Sequence, residues 1–149
     1  MPTSTRFAVA VHALAALAVN GGGPVRSEQI AASANTNPAV VRGLFSRLAA
    51  AGSTCARLGA GGGAVLAKPA ARITLLDVYR AVEEPELFAM HRSEPDRNCF
   101  IGRSIQQVLA ATTGRAQAAL ERELAAVTIA DVARDVLAHA TEEERRALT

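Results

Sequence analysis

The chain has 149 residues, a length that suits one domain or one small domain with an appendage. Half of the residues are apolar, but only 3% are aromatic and none is Trp, a composition that favours helices packed through small side chains. The formal net charge is only +2, and the 2 cysteines are too few for a disulfide framework or a four-cysteine metal site.

The charges are divided unevenly between the two halves of the chain. Residues 1–72 contain seven Lys or Arg and a single acid, Glu28, which gives a net charge of +6. Residues 73–149 contain nine Arg and thirteen acids, which gives −4. Such an asymmetry is typical of a basic half that meets a polyanion and an acidic half with another task.

The first predicted helix covers residues 5–19, where Phe7, Val11 and Leu14 recur at helical spacing. Its apolar run of about thirteen residues is too short to span a membrane, and no convincing signal-peptide cleavage site follows it. We therefore expect no membrane attachment and a cytoplasmic protein. His12 lies within this run, where a lone histidine is more often a packed core or interface residue than a ligand.

Two shorter helices follow, one over residues 27–34 with Ser27 as its N-cap and one over residues 38–52. Before the second of them, Asn37 is a preferred N-cap and Pro38 takes the first helical position, where its missing N–H costs nothing. Two helices joined by a tight turn, with a capped start of the second, are typical of a helix-turn-helix.

A β-hairpin is predicted after these helices, with strands over residues 53–57 and 64–67 and a glycine-rich turn between them. Cys55 is most simply a small residue of the first strand. The glycines of residues 59–63 lack the Lys-Ser/Thr of a phosphate-binding loop, and no strand-to-helix unit surrounds them, so nucleotide binding is disfavoured. Three helices and a hairpin together predict a winged helix-turn-helix.

Three further helices are predicted in the second half, beginning at Thr74, Ile101 and Thr128. Thr74 and Thr128 each open a Thr-x-x-Asp sequence, which is close to a capping box. The helix over residues 101–127 would be about 38 Å long, more than a small domain needs for its own core. Its apolar stripe is heptad-like and comprises Ile105, Val108, Leu109, Ala116, Ala119, Leu120, Leu124 and Val127. We expect it to pair with a second copy, and the last helix to run over residues 128–148.

Candidate DNA-contacting residues lie on the outward face of the third helix and in the wing. An Arg can contact guanine with two hydrogen bonds, an Asn can do so with adenine, and small apolar side chains can meet a thymine methyl group. Arg57 and Lys68 flank the wing tip, where glycines would let the backbone approach phosphates. The alternative is a solvated helix face with two ordinary arginines, but the wing and the uneven charge favour DNA binding.

The order of these parts resembles the Rrf-two family (Rrf2) of bacterial transcription regulators. The resemblance rests on RFAVAVHALAALA, NPAVVRGLFSRLAAAG, GAGGGAVLAKPA, ITLLDVYRAVE and CFIGRSIQQVL with the later ELAAVTIADV, which span residues 6–136 or so. It implies a homodimer built on the long helix and binding to a roughly palindromic operator in double-stranded DNA. By motif position it also implies DNA contacts from Asn37, Ala39, Val40, Arg42 and Arg47 in the recognition helix and from Arg57, Gly61, Gly62 and Gly63 in the wing.

The chain departs from this family's cluster-binding members in the loop over residues 85–100. Those members place three cysteines before the long helix, whereas this chain has only Cys99, with His91 and Asp96 nearby. Because thiolates dominate the ligation of iron–sulfur clusters, we expect no cluster here and no other cofactor or metal.

Cys99 is nevertheless a candidate redox sensor. The N-terminus of the long helix, with Arg97 and Arg103 close in sequence, could lower the pKa of its thiol. The alternative is a half-buried cysteine that packs the start of the helix.

The sequence thus predicts a mainly α protein with a small β-wing. Residues 1–72 would form a winged helix-turn-helix DNA-binding domain, and residues 73–149 a helical dimerisation region with a sensor-type loop. We expect a dimeric, sequence-specific transcriptional regulator that acts as a repressor, and not an enzyme, since no catalytic triad or carboxylate pair stands out. The alternative is a redox- or metal-responsive interaction protein whose wing no longer binds DNA.

Overall fold

The computed structural model describes residues 4–148, which are mainly helical and include one two-stranded antiparallel sheet. This confirms the predicted fold class. The chain forms two compact units, one made by the residues up to Glu83 together with those from Leu124 onward, and one made by Glu84–Glu123. The first unit therefore contains more than residues 1–72, and the functional division at residue 72 stays a prediction.

Three helices open the first unit: α1 (Arg6–Val19), α2 (Ser27–Ala34) and α3 (Pro38–Ala50). Helix α1 packs against the other two and buries most of one apolar face, including the fully buried Leu14. The start of α3 is as predicted, since the Asn37 side chain accepts a hydrogen bond of 2.8 Å from the N–H of Ala39.

The predicted N-cap of α2 is wrong by one residue. Arg26 is the N-cap, and the side-chain oxygen of Gln29 accepts a hydrogen bond of 2.9 Å from its N–H. Ser27 is already helical because Val25, two residues earlier, is held extended by paired hydrogen bonds of 3.0 and 2.9 Å with Ala64 of the hairpin. A contact from far along the chain thus sets where the helix begins.

The wing is a hairpin of β1 (Thr54–Arg57) and β2 (Gly63–Leu66), paired in the register Thr54↔Leu66 to Arg57↔Gly63. Its tip turns through residues 58–62, where two glycines have positive φ angles. The extended bridge from Val25 adds to this sheet on the β2 side, so the wing is attached to the chain before α2 as well as after α3.

The first unit is completed by α4 (Leu75–Val82) and α6 (Ile129–His139), with the long helix, α5 (Phe100–Ala125), between them in sequence. Both predicted capping boxes are confirmed: the hydroxyls of Thr74 and Thr128 each accept a hydrogen bond of 3.1 Å from the N–H of the Asp three residues later. The two helix starts lie side by side, because the N–H of Ile129 donates to the carbonyl of Ile73 at 2.8 Å.

The prediction of one continuous last helix is wrong. Helix α6 ends at His139, Ala140 is extended, and a separate short helix, α7 (Glu142–Arg146), follows. The reason is local, because the Thr141 hydroxyl accepts a hydrogen bond of 3.2 Å from the N–H of Glu144 and starts a new helix.

The core of the first unit contains side chains from α1, α2, α3, α4 and α6. Its largest fully buried members are Leu14, Leu17, Ile30, Val41, Leu48, Ile73, Val78, Val82 and Ile129. Since residues on both sides of the second unit contribute to this core, the first unit is closed only when α6 packs on α1.

The second unit contains an exposed connecting segment, residues 84–99, and nearly all of α5. The side chain of Gln117 anchors the segment, since it accepts a hydrogen bond of 3.0 Å from the N–H of Leu87 and donates one of 3.0 Å to the carbonyl of Pro85. The 26 residues of α5 give a length of about 39 Å. No residue of α5 is buried within the part of the chain that the structure describes.

None of the helices within residues 4–148 combines the length and the apolar character that crossing a bilayer requires.

Candidate nucleic-acid interface

The recognition helix, α3, separates its side chains cleanly into two faces. Val41, Leu44 and Leu48 are buried against the core of the first unit. Of the predicted DNA contacts on α3, Ala39, Val40, Arg42 and Arg47 are exposed, and Val40 keeps 46% of its surface accessible. A helix that buries one face and presents small and cationic side chains on another can enter a major groove.

Arg42 and Arg57 share one groove. This groove has a volume of about 380 Å³ and lies between α3 and the wing, and Ser27, Ser46 and Gly63 are among its other lining residues. The structure therefore brings together three of the predicted contacts: Arg42 from the helix, Arg57 from the first wing strand and Gly63 from the second. Two guanidinium groups beside small hydroxyls suit the phosphate backbone and the base edges of a duplex.

Arg42 does not project alone. Its NH1 nitrogen lies 3.1 Å from Oε1 of Glu28, in the first turn of α2, and both side chains are more than half exposed. Nothing in the sequence beyond the isolation of Glu28 in the basic half indicates this contact across the turn.

Arg47 is placed differently from Arg42. Its NH1 nitrogen donates a hydrogen bond of 3.2 Å to the carbonyl oxygen of Val82, the last residue of α4. The guanidinium thus also caps the C-terminus of a neighbouring helix, where a cation is favoured. The structure does not bring Arg47 into the groove that Arg42 and Arg57 line.

The predicted wing glycines have different structural roles. A side chain on Gly62 would overlap the carbonyl oxygen of Arg57, and one on Gly63 would overlap the backbone of Val25. Gly61 has φ +74°, with open space around the position where a Cβ would stand. Gly62 and Gly63 are therefore required by the wing's own close backbone contacts, and Gly61 is favoured by its positive φ angle. Leu58, next to Arg57, is 90% exposed there and was not predicted.

Asn37 and His12 are both engaged within the first unit. The Asn37 side-chain oxygen caps α3, which leaves its NH2 group as the part able to reach a base. His12, half-buried on α1, has its Nε2 atom 2.8 Å from the hydroxyl of Ser33 on α2, in keeping with a packed residue.

Cys99 lies at the start of α5, in the second unit, with an exposed side chain. The backbone N–H groups of Gly102 and then Ile101 donate to its sulfur and lower the pKa of the thiol. The expected help from Arg97 and Arg103 is wrong: Arg97 pairs with Glu94, and Arg103 donates to the carbonyl oxygen of Arg97 at 3.2 Å. His91 is exposed in the same connecting segment.

Three helices followed by a hairpin whose groove holds two arginines define the winged helix-turn-helix class. Comparison with known proteins makes the assignment more specific. The profile of the Rrf2 family, described as an iron-dependent transcriptional regulator, matches residues 3–135. The chain belongs to the Rrf2 family of transcriptional regulators.

Individual relatives agree with this membership. The chain is 43% identical over 130 residues to YwnA of Bacillus subtilis (strain 168), provisionally named an HTH-type transcriptional regulator, across 87% of this chain and 95% of YwnA. It is 41% identical to a protein of known crystal structure provisionally described as DNA-binding, with a TM-score of 0.69 over 85% of this chain and 97% of the other. CymR (YrzC), the global cysteine regulator of B. subtilis, shares the fold at 24% identity and a TM-score of 0.67, over 90% and 97% of the chains. The prediction of a regulator rather than an enzyme is confirmed.

The family's description raises the question of iron. The chain has 2 cysteines, one of them in the wing strand of the first unit and the other before α5 in the second. Across residues 4–148, no group of three or more His, Cys, Asp and Glu side chains could hold a metal ion. These residues do not fit a cluster held by three thiolates of one chain. That the protein works without a cofactor stays a prediction.

Proposed function

We propose that this regulator binds double-stranded DNA sequence-specifically as a homodimer, with α3 in the major groove and the wing alongside. The observation that carries the proposal is the groove between α3 and the wing, which places Arg42 and Arg57 together beside the exposed face of the recognition helix. Arginines that contact phosphates would set the register, and the N-terminal half of α3 would read base edges.

The dimer is supported by the surface of α5. A 26-residue helix with no buried residue gains little from its own chain, and it exposes Ile101, Val108 and Leu109, the last two from the predicted stripe. An apolar stripe at this spacing is stabilised when it packs against a second helix. Two copies related by a two-fold axis would read half-sites about 34–36 Å apart, which requires a roughly palindromic operator.

The regulatory outcome that we propose is repression. A dimer bound across a promoter excludes the polymerase from the same DNA, and it needs no further contact to do so. A reporter gene behind the chain's own upstream DNA should be expressed more strongly when the regulator is deleted. Lower expression after deletion would contradict repression while leaving DNA binding intact.

DNA binding itself is tested by fluorescence anisotropy with the chain's own upstream DNA and with a scrambled duplex of equal length. The upstream duplex should bind more tightly, and binding should weaken steeply as salt rises, since each phosphate contact releases counterions. Arg42→Ala should weaken specific binding roughly tenfold or more, in line with the loss of one bidentate base contact.

Arg134→Ala is a matched control. Arg134 is also exposed and forms an ion pair of 3.1 Å, with Asp131, but it lies on α6, away from the proposed interface. Its affinity should equal that of the parent. Equal binding of the two duplexes, with Arg42→Ala behaving like the parent, would sink the proposal.

We also propose that Cys99 makes DNA binding sensitive to oxidation. The supporting observation is the exposed thiol that accepts the first N–H groups of α5, which lowers its pKa and raises its thiolate fraction. Peroxide treatment should change the DNA affinity of the parent and leave that of Cys99→Ser unchanged. The same response in both proteins would remove Cys99 from the mechanism, and a redox response without any DNA binding would favour an interaction protein instead.

A further inference from the structure

The basic part of the chain contains one acid, and that acid contacts the candidate reading residue of α3. Glu28 stands alone among residues 1–72 against seven Lys or Arg. Among the basic side chains there, its carboxylate meets Arg42, with 3.1 Å between Oε1 and NH1. An acid beside a cationic residue of a surface proposed to meet a polyanion weakens binding to any phosphate, so this placement requires a compensating gain.

Stability does not supply that gain. The two side chains keep 58% and 63% of their surfaces accessible, and exposed ion pairs contribute little to folding. Glu28 also lies in the first turn of α2, where an acid is favoured by the helix dipole, but this would hold without Arg42 nearby. The ion pair links α2 to α3 across the turn of the helix-turn-helix. It therefore fixes the direction in which the Arg42 side chain leaves α3.

The geometry of a guanidinium leaves room for a second partner. Arg has five N–H donors in a planar fork, and in the described structure NH1 is the one guanidinium nitrogen of Arg42 with a hydrogen-bond acceptor. The NH1 nitrogen of the Arg42 guanidinium can remain on the Glu28 carboxylate while the edge formed by Nε and NH2 offers two parallel N–H donors. Guanine presents two acceptors, O6 and N7, at the spacing that such an edge fits.

We propose that Glu28 is a positioning residue that sets specificity by directing Arg42 to a guanine edge and away from phosphate. The inference rests on the proposed DNA binding. A guanine edge is uncharged, so Arg42 can contact it and keep Glu28. A phosphate contact by Arg42 would bring a second anion next to the Glu28 carboxylate, and like charges repel. Glu28 therefore lowers non-specific affinity more than specific affinity.

The test compares specific and scrambled duplexes by fluorescence anisotropy at fixed salt for the parent, Glu28→Gln, Arg42→Ala and the double variant. Glu28→Gln should tighten binding to scrambled DNA up to roughly fivefold, the scale of one exposed charge pair. Its ratio of specific to non-specific affinity should fall at least about fivefold, the lower end of the discrimination that one bidentate base contact provides. In the Arg42→Ala background, Glu28→Gln should leave that ratio unchanged.

Asp135→Asn is the charge-matched control, because Asp135 is also exposed and lies 3.1 Å from an arginine, Arg134, but on α6. It should not alter the ratio. Thermal melting of each variant separates a folding defect from a change in recognition, and Glu28→Asp, which retains the charge, should keep more of the ratio than Glu28→Gln.

Each outcome has a distinct meaning. If the parent does not distinguish the two duplexes, the proposed function fails and the role of Glu28 fails with it. If the parent discriminates and Glu28→Gln discriminates equally, only the inference about Glu28 is overturned. If Glu28→Gln lowers the ratio as strongly when Arg42 is absent, Glu28 acts on DNA directly and not through Arg42.

Discussion

At the scale of single residues, the start of α1 depends on Glu83, the last residue before the chain leaves the first unit. Oε1 of Glu83 accepts hydrogen bonds of 2.7 Å from the Ser4 hydroxyl and 3.1 Å from the N–H of Phe7, and Oε2 lies 3.3 Å from the Arg6 guanidinium. Thr5, the residue at the N-cap position of α1, makes no side-chain cap. Glu83 thus supplies from 76 residues away what a neighbouring side chain supplies in α3.

Replacing Glu83 tests this long-range cap. Glu83→Ala should lower the free energy of unfolding by about 1–2 kcal/mol, because it leaves the N–H of Phe7 without an acceptor and removes the half-buried charge partner of Arg6. Urea denaturation followed by circular dichroism measures the shift. Glu86→Ala, at an exposed position three residues later, is the control and should shift the midpoint little. Equal midpoints for both variants would contradict the capping role.

Ser53, just before β1, has a polar group without a hydrogen-bond partner within the described structure, in contrast to the fully engaged carboxylate of Glu83. This group, the Ser53 hydroxyl, is buried. A buried hydroxyl without a partner costs free energy that its removal recovers. Ser53→Ala should therefore raise the free energy of unfolding by about 1 kcal/mol, seen as a higher urea midpoint with an unchanged slope. A lower midpoint would show that the hydroxyl stabilises the fold.

At the scale of elements, the sequence was informative wherever the cause of a structure is local. Asn37-Pro38, Thr74 with Asp77 and Thr128 with Asp131 mark helix starts through contacts within four residues, and all three were predicted. The Thr141 capping box is equally local, and its Thr-x-x-Glu pattern could have revealed the break before α7.

What the sequence could not provide are contacts between distant segments. The pairing of Val25 with Ala64 moved the start of α2, and nothing in residues 25–34 indicates it. The same holds for the candidate site: composition and caps pointed to α3 and the wing, but they did not separate Arg42 from Arg47. Arg42 and Arg47 are five positions apart, so they project from different sides of α3. Arg42 contacts Glu28, whereas Arg47 contacts the carbonyl of Val82.

The wing provides a prediction about one element. In Gly62→Ala the new methyl group would overlap the Arg57 carbonyl oxygen, so the tip must rearrange and carry Arg57 with it. Affinity for the specific duplex should fall several-fold, while the melting temperature changes little, since the tip lies outside the core. Gly114→Ala is the control, because it has open space within a helix and should be stabilising by up to about 1 kcal/mol with unchanged affinity per dimer. Undiminished affinity of Gly62→Ala would show that the tip's shape is irrelevant to binding.

At the scale of the whole molecule, the surface of α5 predicts how the proposed dimer responds to mutation. Val108 is 63% exposed within the apolar stripe, so Val108→Glu would bury a charge if two such stripes meet. Sedimentation should show a shift from dimer to monomer, and specific DNA binding should weaken because a monomer contacts a single half-site. Gln107→Glu adds the same charge on the opposite side of α5 and should remain dimeric. A dimeric Val108→Glu would place the interface elsewhere.

The path of the chain between the two units has a consequence for how this protein can change over time. The chain leaves the first unit after Glu83 and re-enters it at Leu124. The starts of α4 and α6 are paired, so the segments before and after the second unit pack on one core. The intervening segment is thus an insertion whose ends are held by packing that it does not itself provide. Substitutions in its connecting part, residues 84–99, can therefore change exposed reactive groups such as Cys99 while the core of the first unit continues to fold.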